Sequence, residues 1–269
     1  MQTHILLKFD GDLATLTLTP DEPGKPPTLD YTALDELAGH VAAIRAADGL
    51  RAVILRSASE KYFCVGANIN ALKTLDAETI VPWVERGHAV FNDLAALPLP
   101  VIACVEGFCL GGGLELAMAC DLIVASNTAR FGQPEAALGV IAGWGGTWRL
   151  LRRVGVTRAK ELFFTGKVIA ADEAATIGLA SFAGELAEME AYLAAFLEGL
   201  RRCSPLAVAQ MKAIVDRSDA LTRDAAGRAE ADASAACLAS ADTRTRVAEY
   251  LESRRRRVSL APTTKGTGS

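Results

Sequence analysis

Histidine is scarce in this chain: His4, His40 and His88 are its only three among 269 residues, and they stand far apart. Six cysteines (Cys64, Cys104, Cys109, Cys120, Cys203 and Cys237) form no Cys-x-x-Cys pair and no cluster with histidine. That spacing lacks the usual zinc signatures, so no metal site is expected. Most of the cysteines lie in apolar stretches, where a free thiol behaves as a small hydrophobe, which points to a reducing compartment. Long apolar runs are also missing: the longest such region, 101–126, is interrupted by Glu106, Glu115 and Asp121 and does not read as a membrane span. Residues 1–19 lack a basic start followed by an apolar core, so no secretory leader is expected, and the chain reads as soluble and cytoplasmic. Positive charge is not in excess. A formal net charge of −4 argues against a broad nucleic-acid surface. The one basic run, Arg254-Arg255-Arg256-Arg257, reads as a solvated helix end, with cations near the negative end of the helix dipole.

What is present is apolar substance: 51% hydrophobic residues, enough for one sizeable core. Segments 4–8 and 13–19 read as strands around the turn Asp10-Gly11-Asp12. Residues 19–27, with four prolines, are loop. Leu34, Leu37, Val41 and Ile44 recur at helical spacing and predict a helix that Asp48-Gly49 ends. A strand follows at 52–55, a helix over 78–96 stopped by Leu97-Pro98-Leu99-Pro100, a strand at 101–105, a helix over 112–119 and a strand at 122–125. This rhythm predicts an α/β protein. After residue 142 the pattern is almost wholly helical, over 146–153, 157–164, 171–177, 188–201, 205–216 and 223–257 with breaks. The expected plan is a core domain over 1–198, a helical region over 199–258 and a disordered tail over 259–269.

Two stretches could carry chemistry. In "GFCLGGGLELAMACDL" (107–122), a glycine run between a strand and a helix is followed by Glu115, a carboxylate among apolar neighbours. Burial of such a group is costly unless it is paired, hydrogen-bonded or protonated. Unsatisfied N–H groups at a helix start can bind a phosphate or stabilise an oxyanion. The spacing fits neither GxxxxGK[ST] nor GxGxxG, and GxSxG is absent. An ordinary first-turn glutamate and a working carboxylate explain Glu115 equally well on this stretch alone. In "ARFGQPEAALGVIAGWGGTWRL" (129–150), Glu135 follows Pro134 at a turn or helix start. One short helix and one strand separate the two acids. That connection can return both to one end of a sheet, where paired carboxyls suit acid–base work beside a polarised carbonyl.

These two stretches, with "FCVGANI" (63–69) and "TGKVIAADEAATIGL" (165–179), occur in an order and spacing that resemble the crotonase superfamily of enoyl-CoA hydratases and isomerases. The resemblance covers nearly the whole chain. It implies a spiral of repeated ββα units with an α-helical C-terminal trimerisation region. It further implies an oxyanion hole from the N–H groups of Ala67 and Gly112, and a water positioned by Gly143. Glu115 would deprotonate that water as it attacks Cβ, and Glu135 would supply the proton at Cα. Substrate contacts are implied for Gly66, Asn68, Ile69, Gly111 and Trp144.

Isomerases of the family commonly keep only the equivalent of Glu135, so the presence of both acids favours hydration of a 2-enoyl-CoA. Isomerisation, hydration of a branched or cyclic dienoyl-CoA, and a non-catalytic role in RNA binding or assembly are the alternatives. No cofactor is implied beyond the coenzyme A carried by the substrate, and the expected partners are the acyl-CoA and further copies of the chain, as a trimer or hexamer. Lys25 and the basic C-terminal helix are conceivable phosphate contacts, though a solvated side chain explains each as well. The chain departs from the family pattern at Asn68, at Pro27–Tyr31 and at Ala142-Gly143-Trp144-Gly145-Gly146-Thr147-Trp148. Trp144 and Trp148 could narrow the acyl end of the pocket or pack under a helix, packing being the commoner fate of large aromatics.

Overall fold

A computed structural model of the chain describes residues 2–259. Residues 2–202 form one compact unit and the described residues from Cys203 onward a second. The tail expected over 259–269 lies outside the described residues except for Ser259, which still belongs to a helix.

The first unit starts with the predicted hairpin: β1 (Thr3–Asp10) and β2 (Leu13–Pro20) pair antiparallel along their whole length. Leu16 and Leu18 alternate inward with Ala14, the period of a strand with one buried face. Asp30 caps α1 (Tyr31–Ala46) by accepting from the Ala33 N–H at 3.0 Å, and Leu34, Leu37, Val41 and Ile44 are its buried stripe.

Three strand–strand–helix repeats follow. The first is β3 (Ala52–Ser57), β4 (Tyr62–Cys64) and, after the short α2 (Ile69–Leu72), α3 (Ile80–Ala95). The second is β5 (Val101–Val105), β6 (Phe108–Leu110) and α4 (Gly112–Met118). The third is β7 (Leu122–Ser126), β8 (Arg130–Gly132) and α5 (Gly146–Thr165). In each repeat the first strand enters a six-stranded sheet and the second a four-stranded one. The orders are β1-β2-β3-β5-β7-β10 and β4-β6-β8-β9, where β9 is Val168–Ala170 and β10 is Phe182–Gly184. Apart from the β1–β2 and β8–β9 pairs, every strand pairing is parallel. The α/β architecture is the expected one, and strands β5 and β7 are apolar on both faces, as parallel strands covered on both sides must be.

Three corrections belong to the short elements. The loop expected between Gly107 and the glycine run contains β6, and the region after 142 is not purely helical, because β9 and β10 flank α6 (Ala171–Thr176). Strands of three residues carry too little periodicity to stand out in a sequence. The two helices expected over 146–153 and 157–164 run together, kinked at Gly155, whose φ of 76° breaks the helical path. α7 (Leu186–Arg201) is the last element of the first unit. The second unit holds α8 (Pro205–Val215), α9 (Arg223–Ala239) and α10 (Ala241–Ser259).

Candidate active site

Residues 111–120 are buried without exception, and Glu115 among them is 2% exposed. α4 carries this carboxylate into the core, so the protein must satisfy it from within. It does so with backbone: Glu115 Oε1 accepts from the N–H of Trp144 and from the N–H of Gly146, both at 2.7 Å. Gly146 has to be glycine, since a Cβ there would lie 2.9 Å from the same oxygen. Burial pushes the Glu115 carboxyl up to about 7. The two N–H groups oppose that rise, the neighbouring Glu135 adds to it, and the Arg149 guanidinium pulls it back.

Glu135 arrives from a different element, the 3₁₀ turn Glu135–Leu138 that follows Pro134. Burial raises its pKa above the ordinary carboxylate range as well. Gln133, buried just upstream, reaches both of its oxygens at 2.8 and 3.0 Å when the amide nitrogen faces the carboxylate, the orientation that satisfies both groups. The two acids line one cavity of 690 Å³.

Ala67 and Gly112 line the same cavity. The backbone segments that bear them approach too closely for side chains. A Cβ on Gly66 would lie 2.8 Å from the Gly112 nitrogen, and one on Gly112 would lie 3.4 Å from the Ala67 nitrogen. The partnership of Leu29 with this segment uses the Gly66 carbonyl and the Asn68 N–H, which leaves the Ala67 N–H out of it. Neither the Ala67 nor the Gly112 N–H donates to an acceptor among the described residues. Gly111, at φ +53°, makes the corner between β6 and α4, and a Cβ there would meet Glu135 Oε1 at 3.2 Å.

The other expected contacts divide. Gly66, Ile69, Gly111, Gly143 and Trp144 all line the cavity. Asn68 does not; its side chain caps α2 by accepting from the Asn70 N–H at 3.0 Å. Trp144 is buried between α3 and α4: its ring packs against Trp83 at 5.2 Å and edge-on to Phe91 at 5.6 Å, and Gly87 and Gly112 leave room for it. It therefore packs and lines the cavity at once. Trp148 does neither; it is 40% exposed and lies beneath the Arg149 guanidinium at 4.2 Å. Reading the sequence passed over Gln133, Asn92 and Arg149, whose roles arise only from contacts between distant segments. It also passed over the apolar wall from Leu138 to Ile141, where exposed hydrophobic residues border the cavity.

Among the described residues no group of three or more histidine, cysteine or acidic side chains is arranged to hold a metal ion, and no helix is long and apolar enough to cross a membrane. The family model for enoyl-CoA hydratase/isomerase matches residues 11–258. The short-chain-enoyl-CoA hydratase of Clostridium acetobutylicum is 36% identical over 252 residues, which are 94% of this chain and 96% of that protein. The crotonyl-CoA hydratase of Syntrophomonas wolfei is 35% identical over the same shares. A crystal structure of an enoyl-CoA hydratase from Bacillus anthracis superimposes with a TM-score of 0.86 at 30% identity, covering 93% of this chain and 96% of that one.

Proposed function

This chain belongs to the enoyl-CoA hydratase/isomerase family, and we propose that it adds water reversibly to a short 2-enoyl-CoA, giving the 3-hydroxyacyl-CoA. One observation carries the proposal: Glu115 and Glu135, from separate elements, line a single apolar cavity beside two backbone N–H groups that have no acceptor among the described residues. The names of the two hydratase relatives support the short acyl chain.

In the proposed reaction the thioester oxygen accepts from the N–H groups of Ala67 and Gly112. Glu115 takes a proton from a water molecule as its oxygen bonds to Cβ. The π electrons of the double bond move toward the thioester, and the oxyanion formed there is held by the two N–H groups. Glu135, protonated at the start, gives its proton to Cα. One proton enters the pair and one leaves it, so the steps balance with substrate, water and the two carboxyls. The carboxyl pair must therefore carry a single proton, and activity should be bell-shaped in pH. Gly143, beside the Trp144 N–H that Glu115 uses, is the proposed neighbour of the water. The scheme requires no cofactor beyond the coenzyme A of the substrate.

The test is loss of conjugated enoyl-thioester absorbance on mixing the protein with crotonyl-CoA. Glu135→Gln and Glu115→Gln should each lower the rate 10²–10⁴-fold, the usual weight of a positioned acid or base. Full hydration by Glu115→Gln would overturn its role. Double-bond migration surviving in that variant, with no hydration by the intact protein, would favour the isomerase instead.

A homotrimer or hexamer is proposed on the same family ground. It is supported by the second unit, where no residue from Cys203 to Arg256 is buried and Met211, Leu238 and Tyr250 are more than half exposed.

A further inference from the structure

Arg149 is a cation that the fold goes to some length to keep inside. It is 4% exposed, and although burial lowers its pKa to about 10 it remains charged at neutral pH. Its Nη1 donates to the Trp144 carbonyl at 2.7 Å, and its Nη2 donates to Asn92 Oδ1 on α3 at 2.6 Å. The guanidinium also lies against the bare Cα of Gly145, where a Cβ would sit 2.0 Å from Nη1, and Gly145 holds the left-handed φ of 101° that turns the chain into α5. The residues on either side of that glycine, Trp144 and Gly146, are the two whose N–H groups hold Glu115. Arg149 grips the turn by the Trp144 carbonyl, and the turn grips the carboxylate with the N–H groups of Trp144 and Gly146.

We propose that Arg149, braced by Asn92, is a positioning residue for hydration: by holding the Trp144 carbonyl it fixes the 144–146 turn, and through that turn the orientation and charge of Glu115. The inference rests on the hydratase reading above. Removing the clamp lets the turn rotate its N–H groups away from Oε1, and a displacement of about 1 Å in such a group costs on the order of 10²-fold in rate. The charged groups around this assembly are few. Glu135 faces Glu115 from the 3₁₀ turn. His88 on α3 feels the Arg149 charge, Arg152 and Arg153 follow on α5, and Cys120 lies beyond the end of α4. Among the charged groups of the described residues, only Arg149 both bonds to the turn and favours the ionised form of Glu115.

Two readouts test this, one independent of activity. In protein labelled with carboxyl-¹³C glutamate, the Glu115 signal is identified by its loss in Glu115→Gln and titrated directly. Arg149→Met should raise that midpoint, because the variant loses a cation that favours the ionised form and frees the two N–H groups that hold it to turn away. The same variant should lower kcat for crotonyl-CoA about 10–100-fold with little change in KM. Arg149→Lys should return the midpoint toward the wild-type value while kcat stays low, because lysine keeps the charge and loses the fork. Asn92 is exposed, so Asn92→Ala provides a folded variant should Arg149→Met not fold; it should lower kcat several-fold and leave KM alone. An unmoved Glu115 midpoint in Arg149→Met, or an unchanged kcat in Asn92→Ala, overturns the proposal. Wild-type protein that hydrates nothing overturns the hydratase reading instead, and the carboxyl titration then still decides whether Arg149 governs Glu115.

Discussion

The cavity has two unlike walls. One, from Gly111 to Cys120, is buried at every residue, and its acid is held by two backbone N–H groups at 2.7 Å. The other, from Pro134 to Ile141, is a 3₁₀ turn and loop in which residues 136–141 are exposed, and its acid leans on one side-chain amide. The difference teaches where stability and specificity are separated. The first wall links β6 to β7 and is buried throughout, so it cannot be changed without disturbing the core. The second touches few neighbours and can vary in size and polarity without unfolding anything. Under the proposed reaction, the first wall would hold the proton chemistry fixed while the second adjusts to the acyl group.

The sharpest way to break this contrast is to add one methyl group to each wall. Gly112→Ala would set a Cβ 2.7 Å from the Trp144 ring, which is itself enclosed by Trp83 and Phe91, so the start of α4 or the tryptophan must move. Because the Gly112 N–H is a proposed oxyanion donor, kcat for crotonyl-CoA should fall about 10²-fold or more. Gly139→Ala adds its methyl to open space and pays only for a φ of +75°. It should cost about 1 kcal/mol of stability and less than a few-fold in rate. Steady-state kinetics and urea unfolding of both variants decide the matter; equal losses would show that the two walls are equally constrained.

The same contrast marks how far the sequence could be read. The rigid wall was legible because its glycines and its carboxylate stand next to each other in the chain, and a charge inside an apolar run is a local contradiction that needs a cause. Glu135 was legible as a residue but not in its setting, since Gln133 reads as ordinary loop until the fold turns it on the carboxylate. The hairpin, α1 and the long parallel strands followed from periodicity, whereas the three-residue strands of the small sheet did not. Asn68, expected on the substrate, has a side chain that caps α2, a local use of asparagine that gave no signal in the sequence. Arg149 and Asn92, 57 positions apart, gave no signal, because a buried cation is recognised by its acceptors and those lie elsewhere in the chain.

A second prediction concerns the stability that the rigid wall gives up. The pKa of Glu115 is raised on folding, so the protonated form is favoured in the folded state. Its contribution to stability is therefore complete below the ordinary carboxylate range and is lost as pH rises toward about 7. Glu115→Gln removes that dependence and should be more stable than the wild type at pH 8 by about 1–3 kcal/mol, with little difference at pH 4. Urea unfolding at the two pH values measures it. Glu135→Gln, at the less buried wall, should flatten the profile less; the reverse order would place the greater ionisation cost on the loop.

The smallest effect expected belongs to the adjustable wall. Ile141 is 79% exposed and Leu138 64% exposed, yet both border the cavity, so they cover little of the protein and offer apolar surface to whatever enters. Ile141→Ser should leave unfolding unchanged within about 0.5 kcal/mol, as exposed substitutions do. For crotonyl-CoA, whose acyl group is short, kcat/KM should change less than two-fold if the chain stops before this residue. For a longer enoyl-CoA that reaches Ile141, each methylene that loses its apolar contact costs up to about 0.8 kcal/mol, a several-fold loss appearing in KM rather than kcat. A loss that grows with chain length assigns this loop to the acyl tail. A loss of equal size for every chain length would instead tie the loop to the part of the substrate that all of them share, the coenzyme A, and the two walls would then differ in burial but not in the task proposed for them.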